Sequence, residues 1–176
     1  MNFPIYENER YLMREMTTED ANDIFEYYSD RLLMKYTATP PHIRIADTVT
    51  MIRTLTSSYQ NDKGIAWAIA DKIAEKVIGN IGLYYVGTNK NKAAVGYNIS
   101  TPYQNQGIAT WALGNCLQFG LEYLHLKCIE AKCKSVNYAS ERVMQKCGMK
   151  LHEVNRSPFL VDGTYYDIKT YSLKSL

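Results

Sequence analysis

Tyr103 to Thr110 reads YQNQGIAT, and within it Gln104-x-x-Gly107-x-Ala109 sets carboxamides around one glycine and one small residue. The stretch stands between AAVGYNIS (Ala93 to Ser100), which alternates as a strand does, and WALGNCLQFGLEYL (Trp111 to Leu124), apolar enough for a buried helix. A helix N-terminus presents unpaired main-chain N–H groups and about half a positive charge, so it draws an anion. Gly107 removes the side chain that would hold a phosphate away, and Ala109 keeps the next approach clear. Asn105, Gln106, Gly107, Ile108, Ala109 and Thr110 can together wrap a pyrophosphate. The plain alternative is a glycine required only by turn geometry. Two common phosphate loops are excluded by spacing: there is no GxxxxGK[ST], and Gly96, Gly107 and Gly114 do not form GxGxxG.

The elements that must position this junction follow from periodicity. Arg10 to Met16 reads as a strand, Thr17 to Asp20 as a helix cap, and Ala21, Ile24, Tyr27 and Tyr28 as one face of the helix that follows. Ile45, Val49, Ile52, Leu55 and Tyr59 mark a second helix, ending in the polar Asn61 to Gly64. The period then changes to two: Ile65 to Ala70, Val77 to Tyr85 and the stretch ending at Ser100 form three strands, most simply an antiparallel meander. After the junction come the Trp111 to Leu124 helix, a strand Cys128 to Cys133, and a short helix from about Ala139 to Cys147. Strands around Leu151 to Pro158 and Thr164 to Leu173 close the chain about a turn at Val161-Asp162-Gly163. This order predicts an α+β sheet in which AVGYNIS and CIEAKC, joined through a helix, are parallel neighbours. The junction then lies at the end of one of them and the start of the crossover helix.

A chain of 176 residues, 46% hydrophobic, can close one sizeable core, so a single domain spanning residues 1–176 is expected. Twenty basic against eighteen acidic residues leave a charge of +2 with the lysines scattered, which argues against a nucleic-acid partner. There is neither a leader pattern at the start nor an apolar run of membrane length, so a cytoplasmic protein without membrane contact is expected. Cys116, Cys128, Cys133 and Cys147 form no CxxC pair and read as reduced thiols with no metal. His42, His125 and His152 lie far apart with no adjacent acid or serine motif, so each reads as a surface or packing residue.

Gln104-x-x-Gly107-x-Ala109 after a strand matches the Q/R-x-x-G-x-G/A signature of the GCN5-related N-acetyltransferases (GNAT). GYNISTPYQNQGIAT, IEAKCKSVNYASERVMQKCGMKLHE and VDGTYYDIKTYSLK resemble the RimJ/RimL-like branch of that superfamily in order and interval, and ERYLMREMTTEDANDIF resembles its opening strand and helix. The resemblance implies the GNAT fold, a mixed, mostly antiparallel sheet with a central splayed parallel pair flanked by helices. It implies acetyl-CoA as co-substrate, with no metal, and a protein N-terminal α-amine as acceptor, relatives acting on amino acids, antibiotics or polyamines being the alternative. A CoA-binding module without chemistry is a further reading, and monomer and homodimer both stay open.

Carried over residue by residue, main-chain groups of Tyr97, Asn98 and Ile99 would pair with the pantetheine arm, and Gln104 to Thr110 would hold the pyrophosphate. Asn137 matches the family's asparagine after the next strand, whose carboxamide would fix the pantetheine or the acceptor, and Ser140, three residues on, would also border the cofactor. Ser140 would donate a proton to the departing thiolate, although Asn and Ser ahead of a helix are also ordinary caps. The family's general-acid tyrosine is replaced by Met144, and a carboxylate used by some members by Phe159. Glu130, flanked by Ile129 and Ala131, is the remaining candidate base, with Asp167 second, and the competing reading of Glu130 is an ion pair with Lys132. The tyrosine doublets read as core and sheet residues, one or two of which would wall an acceptor pocket.

Overall fold

A computed structural model of the chain describes residues 3–88, 90–161 and 163–175, the side chains of 157–161 excepted. Asp162 of the expected closing turn and the side chain of Phe159 therefore lie outside the described residues.

Among the described residues eight strands form one sheet in the order β1-β2-β3-β4-β5-β6-β8-β7. They are β1 (Tyr6–Glu7), β2 (Tyr11–Glu15), β3 (Gly64–Asp71), β4 (Lys76–Tyr85), β5 (Lys92–Ile99), β6 (Cys128–Lys134), β7 (Lys150–Val161) and β8 (Thr164–Lys174). Every neighbouring pair is antiparallel except β5 and β6. That exception follows from the helical connection, since two strands joined by a crossover run the same way.

Helices cover both faces. Helices α1 (Ala21–Tyr28) and α3 (Ile45–Gln60) pack on one face of β3 and β4, and α4 (Ile108–Gln118) packs on the other. Each face has its own apolar cluster. Met16, Ala21, Ile24, Tyr27, Tyr28, Ile52, Ala66 and Ala68 form one; Trp67, Ile69, Ile81, Leu83, Val95, Ile99, Leu113 and Ile129 are among those forming the other. Because both its faces are covered, β3 is buried along its whole length and its sequence GIAWAIAD is almost continuously apolar.

The helices differ from the sequence reading in two respects. Helix α4 begins at Ile108 rather than Trp111, because Gly107 adopts a left-handed conformation (φ 79°) and ends the loop there, while Ile108 drops into the core four residues before Ala112. It then widens into a π-helical turn, Phe119–Tyr123, where Leu124 N–H bonds to Phe119 O. Gly120 in that turn lies so close to β6 that an added Cβ would stand 2.6 Å from Ile129 Cδ1. A four-residue helix, α2 (Arg31–Met34), was not anticipated; the Asp30 side chain accepts from Leu32 and Leu33 N–H and nucleates it. Helix α5 (Tyr138–Lys146) connects β6 to β7.

Candidate active site

The parallel pairing of β5 with β6 runs only from Lys92↔Cys128 to Val95↔Ala131. Beyond that point β5 continues to pair with β4 as far as Ile99, and β6 with β8 as far as Lys134. The two strands therefore part, leaving a wedge whose apex lies at Val95 and Ala131. Ser100 N–H donates to Ile78 O at 2.8 Å, which fixes the phase of the β4–β5 ladder. Gly96 and Asn98 turn their main-chain groups to β4, whereas Tyr97 and Ile99 turn theirs into the wedge. Of the three residues singled out for main-chain pairing, Tyr97 and Ile99 thus face the opening and Asn98 does not.

At the open end of β5 the chain makes a 3₁₀ turn, Thr101–Tyr103, and enters α4. Asn105 (φ 61°) and Gly107 (φ 79°) are both left-handed, a backbone that curls its N–H groups toward one side. Among the described residues no side chain caps α4. The first-turn N–H groups of Ile108, Ala109 and Thr110 precede the first intrahelical donor, Trp111, whose N–H bonds to Gly107 O at 2.9 Å. Residues 100–110 contain no lysine or arginine, so this segment could offer an anion main-chain dipoles but no side-chain cation. A Cβ at Gly107 would meet nothing within 4 Å, and the approach to these groups is clear. The two glutamines brace the loop: Gln104 Nε2 donates to Ile99 O at 3.0 Å and Gln106 Nε2 to Pro102 O at 3.1 Å.

Helix α5 flanks the wedge on the α4 face. Asn137 caps it, its Oδ1 accepting from Ser140 N–H at 3.1 Å. Ser140 Oγ lies 2.8 Å from the Tyr97 hydroxyl, which also reaches Ser140 O at 3.2 Å. Burial pushes the Tyr97 phenol well up, so it stays protonated. The pair ties the start of α5 to the half of β5 that has left β6. At its other end Cys147 Sγ bonds to Thr110 O at 3.4 Å, joining α5 to the first turn of α4. Glu141 latches α5 to β8 through Lys169 at 2.8 Å and the Tyr171 hydroxyl at 2.5 Å, contacts that hold its carboxyl below the usual range.

Glu130 lies on the opposite face of the sheet, across from Ala94 and just short of the apex. Its side chain is 12% exposed and pairs with Lys92 at 2.6 Å, so its cation comes from β5 rather than from Lys132. Met144 is fully buried and serves the core. Asp167 accepts from Ser135 N–H through its main-chain O, tying β8 to the end of β6. On the Glu130 face Tyr27 Oη donates to Asn80 Oδ1 at 3.1 Å, and Asn98 Nδ2 donates to Tyr28 Oη at 3.2 Å. The His42 ring stacks on Tyr28 with centroids 4.7 Å apart and bonds Thr48 Oγ1 through Nδ1 at 2.8 Å, and burial lowers its pKa. The Lys134 ammonium reaches Lys35 O at the end of α2, pinning that helix beside the wedge. Sequence reasoning named Tyr97 for its main chain only and passed over Lys92 and Gly96.

The sequence profile of the acetyltransferase (GNAT) domain matches residues 10–150. The chain is 30% identical over 171 residues to the uncharacterized N-acetyltransferase YoaA of Bacillus subtilis (strain 168), with 97% of each chain covered. It superimposes on the ribosomal-protein-S5-alanine acetyltransferase from Vibrio fischeri with a TM-score of 0.87 at 19% identity, covering 97% of this chain and 96% of that one. Against RimL, a ribosomal L7/L12 alpha-N-protein acetyltransferase in complex with coenzyme A, the TM-score is 0.88 at 15% identity, covering 97% and 98%. At these identities the two structures speak to the fold.

Proposed function

The chain belongs to the GNAT acetyltransferase family, and from that premise we propose that it moves an acetyl group from acetyl-CoA to the α-amine of a protein or peptide N-terminus. The observation that carries this reading is the wedge between β5 and β6 opening onto an uncapped helix N-terminus. An extended arm bearing amides suits the edge of Tyr97 and Ile99, and a pyrophosphate suits the N–H groups of residues 105–110. Acetyl-CoA supplies the activated thioester. The chain's residues align it with the amine, and wedge N–H groups support charge that develops on the carbonyl oxygen. As the new C–N bond forms and the C–S bond breaks, Glu130 or water takes the amine proton. Ser140, with Tyr97 behind it, returns a proton to the sulfur.

The acceptor is inferred from protonation. Only a neutral amine attacks. An α-amine with pKa about 7.7 to 8.0 needs roughly 1 kcal/mol to lose its proton at pH 7, and a lysine at about 10.4 needs roughly 4 to 5. Glu130 is already paired with Lys92 rather than standing free to meet the amine, which favours the easier acceptor. Two fold relatives, by name, acetylate ribosomal proteins, one of them as an alpha-N-protein acetyltransferase, in keeping with this choice. The test compares two peptides at pH 7, one with a free N-terminus and blocked lysines, the other with a blocked N-terminus and free lysines. The first is acetylated faster; the reverse order removes the α-amine assignment.

A further inference from the structure

On the face carrying α4 and α5 the wedge is covered, by Tyr97 against Ser140 and by Cys147 against Thr110. The other face is therefore the natural approach for an acceptor; there α1 packs chiefly on β4 and α3 on β3. One residue of β5 stands out there. Gly96 follows the apex residue Val95, is exposed, and has open space on the side where a Cβ would project, with no atom within 4 Å. Its same-face neighbours along the strand are Ala94, small and opposite Glu130, and Asn98. The Asn98 amide gives Nδ2 to Tyr28 Oη, leaving Oδ1 as an acceptor, and Tyr28 Oη takes N–H from both Asn98 (3.2 Å) and Asn80 (3.4 Å), leaving its own proton to give. The open space is thus bordered by a carboxylate toward one end and a donor–acceptor pair toward the other.

We propose that the space over Gly96 is the slot that receives the acceptor amine, with the Asn98–Tyr28 pair as the wall that hydrogen-bonds an amide or carbonyl next to that amine. This deepens the acetyltransferase reading and rests on it. The slot suits an amine followed by a peptide group: Asn98 Oδ1 accepts its N–H and the Tyr28 hydroxyl donates to its C=O. A side chain at position 96 fills the slot without touching the wedge-facing groups of Tyr97 and Ile99, because Gly96 directs its own main-chain groups to β4. Gly96 has ordinary strand geometry, and valine is at home in a strand, so Gly96→Val is compatible with the fold, with Gly96→Ala as the milder variant.

The test needs no turnover. Three conjugates join CoA through an S-acetyl bridge to an amine: the α-amine of a tripeptide, the ε-amine of a terminally blocked lysine, and spermidine. Their affinities and that of CoA are measured by calorimetry on the wild type, Gly96→Ala and Gly96→Val, with melting curves confirming the fold. We expect the tripeptide conjugate to bind the wild type at least tenfold more tightly than CoA. Gly96→Val should erase that surplus, and Gly96→Ala reduce it, while CoA affinity changes less than twofold. A surplus undiminished in Gly96→Val, the absence of any surplus in the wild type, or an equal loss of CoA affinity overturns the slot. A surplus carried instead by the lysine or spermidine conjugate, and lost in Gly96→Val, upholds the slot and removes the α-amine assignment.

Discussion

Gly107→Ala separates a phosphate-binding loop from a mere turn. Gly107 sits at φ 79°, and an L-residue there costs about 1 to 2 kcal/mol, which for a chain of this size lowers Tm by roughly 2 to 8 °C. That loss accompanies either reading, so stability alone decides nothing. The added methyl, however, enters open space at the N-cap of α4, where the phosphate-loop reading seats the anion. Keeping a phosphate from one charge-assisted hydrogen bond removes about 1.5 to 3 kcal/mol, a fall in CoA affinity of about 10- to 150-fold. Gly148 supplies the control. It has the same φ of 79° and the same open surroundings but lies beyond the end of α5, so Gly148→Ala shares the strain without the site. Calorimetric titration with CoA should show both variants destabilised and only Gly107→Ala weakened in binding. CoA affinity in Gly107→Ala within twofold of wild type, or an equal loss in Gly148→Ala, would refute the reasoning.

Tyr97→Phe removes both hydroxyl contacts to Ser140 and should lower kcat several-fold with CoA affinity intact; combined with Ser140→Ala it should add nothing further, and full additivity in the double mutant would uncouple the two residues. Glu130→Gln should lower kcat on the order of a hundredfold if its carboxylate takes the proton, and a rate unchanged from wild type assigns that step to water. His42 has a lowered pKa in the folded state, chiefly from burial, so its neutral form is favoured there. The stability this contributes is present above its unfolded pKa of about 6.5 and lost as pH falls below it, and melting curves from pH 7.5 to 5 should fall more steeply for the wild type than for His42→Asn.

Periodicity exposed the elements whose burial is one-sided and long enough to repeat. Ala21, Ile24, Tyr27 and Tyr28 are all buried in α1, and the stripe read from Ile45 to Tyr59 falls within α3, which ends at Gln60 as the polar Asn61 to Gly64 suggested. It missed α2 and β1, four and two residues long, because neither is long enough for its period to repeat. The start of α4 was placed late because the glycine that interrupts the pattern was read as loop together with the three residues after it, although Ile108 already belongs to the buried stripe.

The candidate site was legible where main-chain geometry would make it and obscure where distant side chains meet. A strand, an amide-rich turn and a helix in succession are enough to place N–H groups at the mouth of a wedge, and those residues were named from sequence. The partner of Glu130 was not. Lys92 and Lys132 share its face, and only the register set by the crossover through α4 brings Lys92 to 2.6 Å. Gly96 shows the same limit more sharply. Gly79, Gly82 and Gly96 are all strand glycines, and Gly82 stands directly opposite Gly96 in the β4–β5 register. A Cβ at Gly79 would lie 2.5 Å from Asn98 O, and one at Gly82 would lie 2.2 Å from Tyr84 Oη, so packing accounts for both. Over Gly96 there is nothing to clear. Sequence gives these three residues one letter, and only the atoms above each separate a glycine that lets neighbours in from one with open space above it.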